Sequence, residues 1–320
     1  MPHLFSPLRI GRLELRNRIV MSPMPSGFAN ESGFINERLV EYYRQRAAGG
    51  VSLIITEPLL VITPGSSAPL HHLALYHDYF IPRLREICTA AHQFGARLLV
   101  TLDALAAGNQ HLPPHQIAEA FSAAAWRALT AGCDGFMLSA ADGGILHSLL
   151  SPLRAATTPA IAPANHDRLR LPLLIIDAIR DWPGKHSLIG FRLIAEEFAP
   201  GGLTLQDTRL IARRLTTAGI RLLDITVDRE TAVPLARFPG WAIPLAGSIK
   251  RTVSDVPIIG SGQLSDPLVA DGSIRDGSVD LVMLGAALRS RPDWPRLAYA
   301  RLWSDMSHND ANALVLVDDD

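Results

Sequence analysis

Cysteine is nearly absent: Cys88 and Cys133 are the only two in 320 residues. Two such distant thiols make no disulfide framework, which points to a reducing cytoplasm. An excess of charge is missing too, with 30 Lys and Arg against 31 Asp and Glu and a formal net charge of −1. No basic stripe stands out, so nothing favours a nucleic-acid or anionic-membrane partner. Long hydrophobic runs are lacking as well. Met1 to Arg12 has no signal-peptide core, and Leu171 to Ile176 is far too short to cross a bilayer. A soluble cytoplasmic protein is expected. His71, His72, His111 and His115 fall in loops at spacings unlike a metal site, and read as surface histidines.

What the chain does contain is 48% hydrophobic residues, enough for one large core. Short apolar runs recur at Arg18–Met24, Val51–Glu57, Arg97–Leu102, Asp134–Ala140, Ser187–Leu193, Arg221–Val227, Val256–Gly260 and Val279–Gly285. Helical periodicity fills the gaps at Asn36–Ala47, Tyr79–Phe94, Pro114–Thr130, Asp167–Arg180, Thr204–Thr217, Ala242–Val253, Asp266–Arg275 and Pro292–Trp303. Thr204 with Asp207 resembles a capping box, and Gly95, Gly132 and Gly219 mark helix ends. An open doubly wound sheet would place a glycine-rich phosphate turn after its first strand. Here that strand runs into Ser22-Pro23-Met24-Pro25-Ser26. Eight alternations without a break in composition therefore predict one α/β domain, a (β/α)8 TIM barrel over residues 1–304. Residues 305–320 are an acidic tail expected to fray. Leu8–Asn17 reads as a hairpin about Gly11 able to plug the bottom of the barrel.

Barrel chemistry gathers at the C-terminal ends of the strands. Arg192 ends such a run. A guanidinium among apolar residues is either a structural ion pair with Glu57, Asp224 or Glu196, or a cation beside an electron-rich ligand edge. Gly262 and Gln263 after the seventh strand, with Gly285 and Ala286 after the eighth, sit where barrels hold phosphate on backbone N–H groups. Asp103 and Asp142 are either solvated loop carboxylates or a pair for acid–base work or cation binding. Cys133 reads as packing.

Beyond this, the chain resembles the Old Yellow Enzyme family. The resemblance is carried by Leu4-Phe5-Ser6-Pro7, Leu15-Arg16-Asn17-Arg18-Ile19-Val20-Met21-Ser22-Pro23-Met24, and Tyr42 through Ala47 with Gly49-Gly50. It continues through Leu53 to Glu57, Ala91-His92, Gly95-Ala96, Ala131 to Gly135, Leu150-Ser151-Pro152, Arg168 and Arg170. Arg192, Asp266-Pro267, Asp280-Leu281-Val282 and Pro292-Asp293-Trp294-Pro295 complete it. It implies FMN at the barrel mouth, with Pro23 and Met24 meeting the flavin, Arg192 beside N1/O2, and Gly262, Gly285 and their neighbours on the phosphate. A small-molecule substrate is implied. NAD(P)H as electron donor and a homo-oligomeric assembly stay open.

Several positions depart from the family pattern. Pro25 replaces Thr or Cys, Pro58 replaces Ala, Thr101 replaces Gln, and Ala286 replaces the arginine that clamps the phosphate. Ser139, Asp142 and Gly144 stand where the family has His, His or Asn, and a Tyr proton donor. Losing that acid costs about a hundred- to ten-thousand-fold and losing an anion-stabilising donor about a hundred- to a thousand-fold. Three readings follow: an FMN oxidoreductase with altered substrate preference, a flavoprotein doing non-redox work, or a flavin-free partner subunit.

Overall fold

Strands form where branched and leucine-rich runs cluster, and helices where the apolar period is near 3.6. The computed structural model describes residues 1–63, 72–106, 109, 112–141, 143–155, 167–181, 187–228 and 238–315, with side chains to residue 304. Strands β1 (Leu8–Ile10) and β2 (Leu13–Leu15) pair antiparallel about Gly11, whose φ of 58° suits a tight turn. There follow β3 (Ile19–Met21), β4 (Leu53–Leu60), β5 (Leu73–Ala74), β6 (Arg97–Asp103) and β7 (Gly135–Ala140). Then come β8 (Leu188–Ile194), β9 (Leu222–Thr226), β10 (Ile258–Gly260) and β11 (Leu281–Leu284).

Parallel pairing runs β3–β4–β6–β7–β8–β9–β10–β11 and returns from β11 to β3, closing an eight-stranded barrel. Strand β5 lies outside the ring, against the outer end of β4. Pro58 has no N–H to give the β4–β6 ladder, and the register shifts between Ile55 and Pro58.

Around the ring run α1 (Glu37–Gly49), α2 (Ile81–His92), α3 (Pro114–Ala131), α4 (Ile145–Leu150), α5 (Pro152–Ala155) and α6 (Arg170–Arg180). The rest are α7 (Leu205–Ala218), α8 (Ile243–Lys250), α9 (Pro267–Arg275), α10 (Ala286–Ser290) and α11 (Trp294–Val315). Thr204 and Asp207 form the expected capping box, and Gly132 and Gly219 end α3 and α7 in the left-handed conformation. The short α4, α5 and α10 and strand β5 carry too few residues for a periodic signal. Helix α11 runs past Trp303, since no glycine or proline interrupts it before Val315. No helix among the described residues is long and apolar enough to cross a membrane.

The barrel interior is packed by Val20, Leu53, Ile55, Leu99, Met137, Leu222, Ile259 and Leu281. Ile10, Leu13 and Leu15 of the hairpin join that cluster, so the N-terminal end is plugged as expected. A second, larger core lies between strands and helices. With one end closed by the hairpin, the opposite end is left for chemistry.

Candidate active site at the barrel mouth

Arg192 on β8 stands in register with Asp224 on β9 and with Ser139 on β7. Its Nη1 donates to Asp224 Oδ2 and lies 3.5 Å from Met283 Sδ, while Nη2 is 3.4 Å from Thr226 Oγ1. Arg192 is 4% exposed and Asp224 fully buried, so the pair is desolvated. Of the three acids the sequence offered, the register chose Asp224. Glu57 is engaged elsewhere: Ser26 donates to it through N–H at 3.1 Å and Oγ at 2.5 Å. Burial raises the Glu57 carboxyl above its ordinary range, and those two bonds partly offset the rise.

Arg192 forms the inner wall of a cavity of about 500 Å³, within the usual size of small-ligand sites. Ser22, Met24, Thr226, Gly262, Gln263, Gly285, Ala286 and Arg289 also line it. Met24, Arg192, Gly262, Gln263, Gly285 and Ala286, all expected at a cofactor, are thus brought together. Glycine is required twice. Gly262 has φ 120°, and a Cβ there would come within 3.0 Å of Ala242 Cβ. A Cβ at Gly285 would overlap Met24 Sδ. Gln263, with φ 56°, is a non-glycine held in the left-handed region, a conformation costing roughly 1–2 kcal/mol. Such strain concentrates at ligand sites.

The other expected cofactor residues are not in that lining. Pro23 is buried between Ser22 and Met24, and Pro25 lines an adjoining cleft with Arg38, Tyr42, Arg46 and Arg289. Pro58 faces Thr101 across the β4–β6 ladder. The Thr101 hydroxyl is fully buried and donates to Thr56 O at 2.7 Å, so it does not stand in for a longer glutamine. Ser139 is 1% exposed, and its Oγ accepts the Ala141 N–H at 3.4 Å. Asp142 lies outside the described residues.

Asp103 ends β6 and is 7% exposed, with Oδ1 accepting the Ala104 N–H at 2.8 Å. Its carboxylate lies on the face of Gly144: a Cβ at 144 would fall inside it. The two positions are therefore one steric unit. An acid occupies space that any side chain at 144 would need.

One cluster carried no sequence signal. His147 Nε2, a Glu197 oxygen and an Asp228 oxygen lie within 4.8 Å of one another. The Gly143 N–H donates to His147 Nδ1 at 3.0 Å, which assigns the imidazole proton to Nε2 and turns it toward Glu197 Oε1 at 3.7 Å. That tautomer presents a donor rather than a metal-ligating lone pair. Burial pushes the Glu197 carboxyl up, but bonds from His147, Ser151 and the Leu203 N–H outweigh it and leave it below its ordinary value. His147 comes from α4, Glu197 from the loop after β8 and Asp228 from the loop after β9, so no local spacing announces them. Cys88 and Cys133 meet sulfur to sulfur at 3.3 Å in the packing around α2, with burial raising the Cys133 thiol. His72 is half-buried and His115 exposed; His71 and His111 lie outside the described residues.

The comparisons with known proteins agree with this architecture. The NADH oxidase of Thermoanaerobacter brockii is 33% identical over 93% of this chain, which spans 50% of that protein. The NADPH dehydrogenase of Halalkalibacterium halodurans is 30% identical over 95% of this chain and is matched over 96% of its own length. The solved structure of a 2-naphthoyl-CoA reductase complex superimposes with a TM-score of 0.83 at 20% identity, covering 92% of this chain and 51% of the other. At that identity the likeness speaks to the fold. The chain thus spans half of the first relative and nearly all of the second. A family model matches residues 3–112 and 114–303, and by that match the chain belongs to the NADH:flavin oxidoreductase / NADH oxidase family.

Proposed function

We propose that this chain is an FMN-dependent oxidoreductase of the Old Yellow Enzyme type, supplied by NAD(P)H, whose acceptor is not a simple enone. The observation that carries the reading is the cavity joining a buried Arg192 to the glycine-lined ends of β10 and β11. Its residues fit the cofactor. Arg192, held by Asp224, sets a fixed positive charge against the flavin edge that gains charge on reduction. Gly262, Gln263 and the backbone at Gly285 and Ala286 would hold the phosphate end. Bound FMN supplies hydride transfer.

The remaining residues set what can be reduced. Ser139 is buried and gives at most one hydrogen bond, and Gly144 has no proton to offer. Asp103 presents a carboxylate instead, which suits an amine or other cationic group better than a developing enolate. Protonated, it would be a general acid reaching the mouth from β6 rather than from the loop after β7.

The absorption spectrum of freshly purified protein tests the reading. A flavin spectrum with one FMN per chain supports it. A colourless protein that ignores added FMN would select a flavin-free scaffold, the reading favoured by Ala286 and by the engaged hydroxyl of Thr101.

A further inference from the structure

We infer that Arg289 is the cation that holds the FMN phosphate in this chain, replacing from one helical turn further on the arginine that Ala286 lacks. The inference rests on the FMN reading above and assigns the charge at its outer end. The cavity has two arginines in its wall. Arg192 is on β8 and is already paired with Asp224. Arg289 is on α10, beyond Gly285 and Ala286 in the chain, and lines both this cavity and the adjoining cleft of Arg38, Tyr42 and Arg46. Residues 286 and 289 are neighbours on one helix face, so a long side chain at 289 reaches space that a side chain at 286 would also reach.

Two further features favour an anion there. Arg289 is exposed, and no carboxylate pairs with it among the described residues. Its backbone is nevertheless fixed, because Arg46 Nη2 donates to the Arg289 carbonyl at 2.9 Å. Arg46 is itself buried with its guanidinium 3.6 Å from the centroid of the Tyr42 ring. An exposed guanidinium thus stands on an anchored main chain, in the wall of the cavity that Gly262 and Gln263 also line. A phosphate monoester matches that donor set better than a neutral group, since a planar fork and backbone N–H groups bind it together.

The test is a pair of titrations of apo-protein, one with FMN and one with riboflavin, followed by quenching of flavin fluorescence. Arg289→Ala should weaken FMN binding about ten- to a hundred-fold and leave riboflavin binding unchanged. Arg289→Glu should weaken FMN further, again sparing riboflavin. Unchanged FMN affinity in Arg289→Ala overturns the assignment. Equal loss for both flavins also overturns it, because the residue would then act on the shape of α10 rather than on phosphate. Binding of neither flavin by the wild type overturns the FMN reading and this assignment together.

Discussion

Arg192 and Asp224 form a buried ion pair to which the proposed function adds a ligand role. Removing the cation alone strands a buried carboxylate, at a cost of roughly 3–5 kcal/mol. Arg192→Ala should therefore lower the urea midpoint and weaken FMN binding together, which leaves the two roles tangled. Arg192→Met with Asp224→Leu separates them, because a well-packed apolar pair can match a buried ion pair in stability. That double variant should recover most of the lost stability but not the flavin affinity. If it recovers both, Arg192 is a structural residue only. The arginine itself was legible in the sequence, since a guanidinium inside Leu188–Ile194 must have a partner. Its partner was not. Glu57, Asp224 and Glu196 were equivalent until strand register placed Asp224 opposite and Ser26 engaged Glu57. Register is a long-range property, absent from local spacing.

The loop after β7 and the start of α4 act as a unit with the end of β6. Because Asp103 fills the space over Gly144, Gly144→Ala alone should destabilise the fold by about 1–3 kcal/mol through overpacking. Shortening Asp103 to Gly in the same chain should restore most of that loss, which thermal unfolding of the two variants would show. The same contact bears on the proposed weakness toward enones. Chemically reduced wild type should be reoxidised slowly by cyclohexenone under anaerobic conditions, because Ser139 and Gly144 supply neither family role. Rebuilding the site requires Asp103→Gly alongside Ser139→His, Asp142→Asn and Gly144→Tyr. Reoxidation should speed up only in that combined variant, and fast reoxidation of the wild type would refute the reading. In α4, His147 Nε2 lies 3.7 Å from Glu197 Oε1 after β8. Glu197 titrates below its ordinary 4.5 in the folded state, so its contribution is fully present above that pH. It is lost as pH falls through the lowered value. Wild type should consequently lose stability more steeply than Glu197→Gln as pH falls below about 4.5. Identical acid limbs would exclude Glu197 as the source. The acid at 103 and the departure at 144 were visible as residue types, but their contact was not, because it joins the end of β6 to the start of α4 some forty positions on.

At the scale of the molecule, eight apolar runs and the helices between them were readable because each barrel strand is buried on both sides and each helix on one. The hairpin was readable from its alternation about Gly11. Its packing predicts that Leu15→Ala, at a position 1% exposed, costs about 2–5 kcal/mol by chemical denaturation although it lies at the far end from the site. A value near zero would show that the plug is dispensable. At the proposed phosphate end the sequence pointed to the glycines, whereas Arg289 became apparent only as a residue lining the same cavity. The seam of the ring has a further consequence. Strand β3 is held on one side by β4, but its other partner is β11, through Ile19↔Val282 and Met21↔Leu284. Until Leu281–Leu284 has been synthesised, every shorter chain carries an unsatisfied strand edge on β3 and another on β10. Ring closure is accordingly a late event in biosynthesis. Chains cut before residue 281 should form β-rich aggregates where the full chain stays dispersed, a difference sedimentation would reveal. The seam that completes the cavity is also what shields the nascent protein from its own copies.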